Sequence, residues 1–166
     1  MLIHRRLLIH GRWYTMLRVG GFDYLDMNST DSMAIAVYFC GCTHNCTGCH
    51  NKQLQDFTGG EAWHSFKLAE HLVEQYRKGG YDYIVLLGGE PLQQNRRGLR
   101  TLLQYLNDNE INVYMYTGYE YDEVPDWCKE LCYCIKTGKY DTDFPKEGKL
   151  ATGNQRYYFK DGRVEK

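Results

Sequence analysis

The chain carries almost no net charge: 20 Lys and Arg against 21 Asp and Glu leave −1 at neutral pH, with an isoelectric point near 6.6. A protein that holds a polyanion needs a basic face, so the sequence predicts no nucleic-acid partner. No apolar run approaches the ~18 residues of a membrane-spanning helix. The first residues are basic (His4, Arg5, Arg6, His10 and Arg12), yet the apolar run among them, Leu7-Leu8-Ile9, is too short for a secretory core. These two absences predict a cytoplasmic protein that does not enter a membrane. Neither G-x-G-x-x-G nor G-x-x-x-x-G-K-[ST] occurs, which removes the common glycine loops that cradle phosphates. No repeat, low-complexity tract or linker divides the 166 residues. Residues 16–166 are therefore expected to form one domain, with residues 1–15 as a peripheral basic arm. At 43% apolar and 25% charged, the composition excludes wholesale disorder.

Against these absences stand seven cysteines. A cytosolic chain keeps thiols reduced, so clustered cysteines there point to metal or catalysis rather than to disulfides. Cys42, Cys46 and Cys49 form a C-x3-C-x2-C triplet inside Phe39–Asn51, a stretch containing Gly41 and Gly48. Thiolates favour iron–sulfur clusters, zinc or Cu(I). A [4Fe–4S] cubane ordinarily takes four cysteines, so three in one loop leave one iron open for chemistry. Zinc is the rival occupant, but its usual second C-x2-C is missing, and Cys128, Cys132 and Cys134 are spaced poorly to complete such a site. Cys40 is a rival fourth ligand. Two residues from Cys42 at a strand end, it is expected to leave the loop and join the core instead.

Periodicity organises the remainder. Met33–Phe39, Tyr83–Leu87, Ile111–Thr117 and Cys132–Lys136 read as buried strands, and a weaker strand is expected around Arg18–Tyr24. Ser65–Lys78 has helical spacing at Phe66, Ala69, Leu72, Val73 and Tyr76 and stops at Gly79-Gly80. Asn95 is placed to cap a helix with the stripe Leu99, Leu102, Leu103 and Leu106, and Asp122 to cap a short one. Asp161-Gly162 predicts a hairpin between Arg156–Lys160 and Arg163–Glu165. Alternating strands and helices imply an α/β fold with mainly parallel strands, whose chemistry gathers at the carboxyl ends of the strands. The cysteine loop, Gly88-Gly89-Glu90-Pro91, Thr117-Gly118-Tyr119 and Gly138-Lys139-Tyr140 all fall at such ends. Bare backbone at Gly88 and Gly89 admits a ligand closely, and exposed carbonyls with Glu90 suit an ammonium group.

The triplet followed by Gly88-Gly89-Glu90-Pro91 resembles the radical S-adenosylmethionine superfamily. More narrowly, Gly41–Asn51, Gly89–Arg96, Tyr116–Tyr119, Gly138–Tyr140 and Asn154-Gln155-Arg156 resemble the activating enzymes of anaerobic (class III) ribonucleoside-triphosphate reductases. That resemblance implies a shortened, open (β/α) barrel of about five strands, since a full eight-unit barrel needs ~250 residues. It implies that Cys42, Cys46 and Cys49 hold a [4Fe–4S] cluster whose fourth iron is chelated by S-adenosylmethionine. Gly88 and Gly89 would offer backbone to the methionine ammonium with Glu90 nearby, Gly48 and His50 would lie against the cofactor, and Thr117 would contact its sugar. Reductive cleavage would yield a 5′-deoxyadenosyl radical that takes hydrogen from a glycine of the large reductase subunit. The electron would come from a low-potential donor such as flavodoxin. No catalytic side chain beyond cluster and cofactor is implied. Two departures from the family stand out. Asp26–Asp31 replaces a usual Asp-Gly-Pro-Gly, and Thr137 stands where an aspartate is usual. The alternatives are an activase of another glycyl-radical protein, a radical enzyme acting on a small molecule, and a non-enzymatic metal module. His4, His10, His64 and His71 are expected to be solvated, and His44 to tune the cluster loop or lie exposed.

Overall fold

The computed structural model describes residues 15–27, 32–146 and 150–166. Apart from Thr15, the expected basic arm lies outside them, with His4, His10 and the Asn28–Asp31 part of the departure noted above. Eight strands form one open sheet in the order β3-β1-β2-β4-β5-β6-β7-β8. The central strands β2 (Ala34–Phe39), β4 (Tyr83–Gly88), β5 (Val113–Tyr116) and β6 (Cys134–Thr137) are mutually parallel. Antiparallel strands flank them: β1 (Met16–Asp26) and β3 (Glu61–His64) on one side, β7 (Arg156–Phe159) and β8 (Val164–Glu165) on the other. The strand count exceeds the expected five because the edges are extended by hairpin-type pairing. β3 escapes sequence reading since its four residues alternate too briefly to register.

Helices α1 (Ser65–Arg77), α2 (Arg96–Asp108) and α3 (Asp126–Leu131) cross between the parallel strands. One face of the sheet, carrying Ile35, Val37, Phe39, Ile84, Leu86, Val113, Met115 and Ile135, packs against helix residues such as Leu68, Leu72, Leu99, Leu103 and Cys128. The alternate residues face the other way and form a second cluster of Ala34, Val85, Tyr114, Cys134, Leu150 and Tyr157, bordered by Tyr83, Tyr116, Tyr133 and Phe159. Period-two alternation thus separates an aliphatic helix-side core from a tyrosine-rich inner face.

Asn95 caps α2 as expected, its Oδ1 accepting from Gly98 N at 2.9 Å. Asp122 does not cap α3. Residues Tyr121–Glu123 form a separate 3-10 turn, in which the Glu120 N–H donates to Glu123 Oε2 at 2.8 Å, and α3 begins after Pro125. Pro125 stands at the N-cap, just ahead of the first turn, where its missing N–H costs nothing. The stripe of α1 is shifted: Leu68, Ala69, Leu72 and Val73 are buried, while Phe66 is 40% exposed. His64 and His71 are not simply solvated, for they bond Thr15 Oγ1 at 3.0 Å and the Tyr24 hydroxyl at 2.8 Å. Cys40, Cys128, Cys132 and Cys134 are buried core residues. No helix among the described residues is long and apolar enough to cross a membrane.

Candidate functional site

Because β2, β4, β5 and β6 are parallel, their carboxyl ends share one edge of the sheet, and a cavity of about 240 Å³ opens there. Cys42, Cys46, Cys49 and His50 line it from the loop after β2, Gly88 to Glu90 from the exit of β4, Thr117 and Gly118 from the exit of β5, and Lys136 and Gly138 from β6. Gly48 is not part of the lining. Its φ of +72° turns the loop before Cys49, and a methyl group there would meet Thr142 Cγ2 at 2.9 Å. Cys40 points away from the cavity, towards Gly20 and Gly60.

The cysteine loop is held by backbone and side-chain bonds from its neighbours. Gly41 and Cys42 N–H groups donate to Leu54 O and Gln55 O at 2.7 and 3.1 Å, closing the loop on itself. Phe39 O accepts from Gly89 N and Gly41 O from Glu90 N, both at 2.8 Å, tying the loop to the exit of β4. The missing side chains of the glycine pair permit this approach. A Cβ on Gly89 would lie 2.6 Å from Gly41 O, and one on Gly88 would lie 2.7 Å from Phe39 N. Bareness therefore serves loop packing as well as access to the cavity.

Glu90 is 1% exposed and accepts four hydrogen bonds. Oε1 receives the Thr117 hydroxyl at 2.8 Å and Leu92 N at 3.0 Å; Oε2 receives Gly118 N at 2.8 Å and faces His44 Nε2 at 2.9 Å. A buried carboxylate needs such saturation. Thr117 is thus engaged with Glu90 at the cavity wall. Gln93 adds a second clamp: its Oε1 accepts from Thr43 N at 2.9 Å, and its Nε2 donates to Thr43 Oγ1 and to the Tyr119 hydroxyl at 2.8 and 3.0 Å. The residues between Cys42 and Cys46 are in this way pinned to the exits of β4 and β5. His44, whose ring lies edge-on to Tyr119 at 4.6 Å, is the residue that the sequence left undecided; its side chain is only 9% exposed.

The tail motif has an equally local cause. Asn154 Nδ2 donates to Lys139 O and Gln155 Nε2 to Gly138 O, at 2.9 and 3.0 Å, which holds the turn after β6. That turn carries Tyr140, whose ring lies 4.8 Å from His50 across the cavity mouth. Thr137 is buried and pairs with Arg156 in the adjoining strand.

All three triplet cysteines are free thiols, each partly exposed to the cavity. Burial raises the pKa of Cys42 and of Cys46, partly offset by the amides of His44 and Tyr140 respectively. Among the described residues, no three His, Cys, Asp or Glu side chains converge on a point where a single ion would sit. Three thiols from one loop on one cavity wall are soft donors of the kind that iron–sulfur clusters take.

Lys136 is the group that sequence reasoning missed. It is 7% exposed on the inner face of β6, with its ammonium 4.5 Å from the Tyr116 ring centre and 5.8 Å from that of Tyr157. Burial pushes its amine down to about 8 from the usual 10.5. The available signal was a lysine inside the otherwise uncharged, buried Cys134–Thr137 strand. At neutral pH this shift corresponds to about 3 kcal/mol of lost stability. The cost is complete below pH ~8 and disappears as pH rises towards ~10.5, since across that window the unfolded chain binds more protons. Replacing Lys136 by Met is therefore expected to raise the melting temperature by several degrees near neutral pH. The advantage shrinks in alkaline buffer, and a variant no more stable than wild type at neutral pH contradicts the account.

Residues 31–158 match the profile of the 4Fe-4S single cluster domain family. The anaerobic ribonucleoside-triphosphate reductase-activating protein of Enterobacteria phage T4 is 31% identical over 134 residues, covering 75% of this chain and 82% of that protein. Among solved structures, QueE from Escherichia coli superposes with a TM-score of 0.50 at 18% identity, over 62% of this chain and 53% of that one. That likeness is one of fold, and the chain spans about half the length of that neighbour.

Proposed function

The chain belongs to the 4Fe-4S single cluster domain family, and on that premise we propose that it is a radical S-adenosylmethionine enzyme that activates an anaerobic ribonucleoside-triphosphate reductase. The observation that carries this reading is one cavity at the strand ends, lined together by Cys42, Cys46, Cys49 and the Gly88-Gly89 backbone. The relative from phage T4, whose name states that activity, supports the choice of target.

In this reading the thiolates of Cys42, Cys46 and Cys49 would hold a [4Fe–4S] cluster with one iron left open for S-adenosylmethionine. Gly88 and Gly89 present backbone to the methionine end. His50 and Tyr140 line the same cavity and would lie against the cofactor. Glu90 lines the cavity beside the glycine pair, near the methionine end. Its four bonds keep the cysteine loop and the exit of β5 in register, so the cofactor meets preformed walls. When bound, cluster and cofactor supply one-electron cleavage of the sulfonium C5′–S bond, ending in methionine, 5′-deoxyadenosine and a glycyl radical on the partner. The electron comes from an external low-potential donor, such as a flavodoxin. No side chain transfers a proton in this scheme, so none is assigned as acid or base.

The test is anaerobic loading with iron and sulfide, then dithionite, S-adenosylmethionine and the large subunit of an anaerobic ribonucleoside-triphosphate reductase. The expected result is a brown protein, 5′-deoxyadenosine, and a glycyl-radical signal in the partner by electron paramagnetic resonance. A colourless zinc protein yielding no 5′-deoxyadenosine would sink the reading. Cleavage of S-adenosylmethionine coupled to rapid turnover of a small molecule without any partner would replace the target.

A further inference from the structure

Tyr119 does not line the cavity, yet it touches the exits of all four parallel strands. Its ring lies edge-on to His44 in the loop after β2, with 4.6 Å between centres and 70° between planes. Its hydroxyl accepts from Gln93 Nε2, beyond β4, at 3.0 Å. Its N–H donates to Thr117 Oγ1 at the end of β5 at 3.2 Å, and its carbonyl accepts from Gly138 N after β6 at 3.0 Å. Gly118 leaves the room for this arrangement, since a Cβ there would lie 2.5 Å from the His44 ring. Two of the segments joined in this way carry amides that face cysteine sulfur. The His44 N–H donates to Cys42 and the Tyr140 N–H to Cys46, each offsetting part of what burial does to the thiol. Tyr140 belongs to the same turn as Gly138. Hydrogen bonds to the sulfurs of an iron–sulfur cluster stabilise its reduced, more negative state and so help to set its potential.

We propose that Tyr119 is a positioning residue of the cysteine loop, holding the His44 and Tyr140 amides against the Cys42 and Cys46 sulfurs and thereby setting the potential of the cluster. The effect on potential rests on the reading of Cys42, Cys46 and Cys49 as cluster ligands; the hold on the amides rests on the contacts of Tyr119 alone. Its side chain and backbone divide the work. The hydroxyl fixes Gln93, which in turn bonds Thr43 N and Thr43 Oγ1, directly before His44. The ring abuts His44 itself. Both of these ties serve the Cys42 side, whereas the Cys46 side is reached through the carbonyl, which every substitution at this position retains. Removing the hydroxyl therefore cuts one tie to the Cys42 side, and removing the whole ring cuts two.

The first measurement uses the full chain without cluster or cofactor. Amide hydrogen exchange is followed by nuclear magnetic resonance in wild type, Tyr119→Phe, Tyr119→Ala and Tyr121→Ala. Tyr121 is the comparator, because its ring stacks on Tyr158 at 4.0 Å and serves a different contact. The His44 amide is expected to exchange about tenfold faster in Tyr119→Ala than in Tyr121→Ala, with Tyr119→Phe between wild type and Tyr119→Ala. Equal His44 exchange in the two alanine variants overturns the proposal. The second measurement is a redox titration of the cluster-loaded proteins, read by electron paramagnetic resonance, with thermal unfolding of each. The potential is expected to shift to more negative values in Tyr119→Ala, less so in Tyr119→Phe, and not at all in Tyr121→Ala, which loses only melting temperature. If Tyr119→Ala lowers melting temperature and cluster content while the cluster that forms keeps the wild-type potential, Tyr119 is structural only and the proposal is overturned. Should wild type take up no cluster while the His44 amide responds as expected, the cluster reading has failed and the hold of Tyr119 on the loop has not.

Discussion

Replacing Cys42, Cys46 or Cys49 singly by alanine is expected to abolish reductive cleavage of S-adenosylmethionine, while Cys40→Ala leaves it intact. The three residues line one cavity, and each supplies a thiolate that no neighbour replaces. Cys40 is the nearest spare thiol in sequence, but its sulfur lies on the far side of the strand end, where a methyl on Gly20 or Gly60 would approach it to 2.9 Å. Moving it into the cavity would break the bond from Cys40 N to Arg18 O and that from Gln94 Nε2 to Cys40 O, at 2.8 and 2.7 Å. Loss of an outer-shell partner costs ~10–100-fold, and loss of a ligand should exceed that. Cys40→Ala should cost about 1 kcal/mol of stability from a small cavity and nothing at the cluster. Iron and sulfide content with 5′-deoxyadenosine yield decides the matter. Full activity in any of the three alanine variants, or loss in Cys40→Ala, would reverse the ligand assignment.

Glu90→Ala is expected to lose about 3–5 kcal/mol of stability, the penalty for deleting one partner of a buried, charge-assisted network. It orphans the amides of Leu92 and Gly118 and frees His44 and Thr117. Glu90→Gln tests whether charge or shape matters. Each oxygen of Glu90 accepts one backbone N–H, so either orientation of the amide sets its NH2 against a donor that cannot reverse. The Gln variant should therefore also be destabilised, by roughly the 1–3 kcal/mol of one unsatisfied buried group. It should bind the cluster less completely, because an amide repelled by Leu92 N or Gly118 N loosens the join between the cysteine loop and the exit of β5. Urea unfolding with iron content per chain measures both effects. A Gln variant with wild-type stability and iron would show that the carboxylate is not what holds the loop.

Motif residues in this protein divide by how their work is encoded. In Gly89–Arg96, Glu90 bonds the exit of β5, Gln93 bonds Thr43, Gln94 bonds Arg18 N and Cys40 O, and Asn95 caps α2. Of these, only the cap was legible beforehand, since an N-cap acts on a residue three positions away. Leu92 apart, the side-chain partners of Glu90, Gln93 and Gln94 lie 26 to 76 residues distant in sequence. Their identities depend on which strand ends meet, and no local pattern states that. Thr15–His64 and Tyr24–His71 were missed for the same reason.

The sequence by itself determined the cysteine triplet, the glycine pair, the four central strands and the order of their loops, because each is written in spacing or in period-two and helical hydrophobicity. Tertiary structure decided the rest. Parallel pairing of β2, β4, β5 and β6 brought four loop ends to one cavity, gave Glu90 its donors and turned Cys40 away. It also set Lys136 on the inner face among tyrosines, as a buried charge over the Tyr116 ring. Burial and charge balance are sums over every element that packs around a group, and a linear sequence does not list those neighbours.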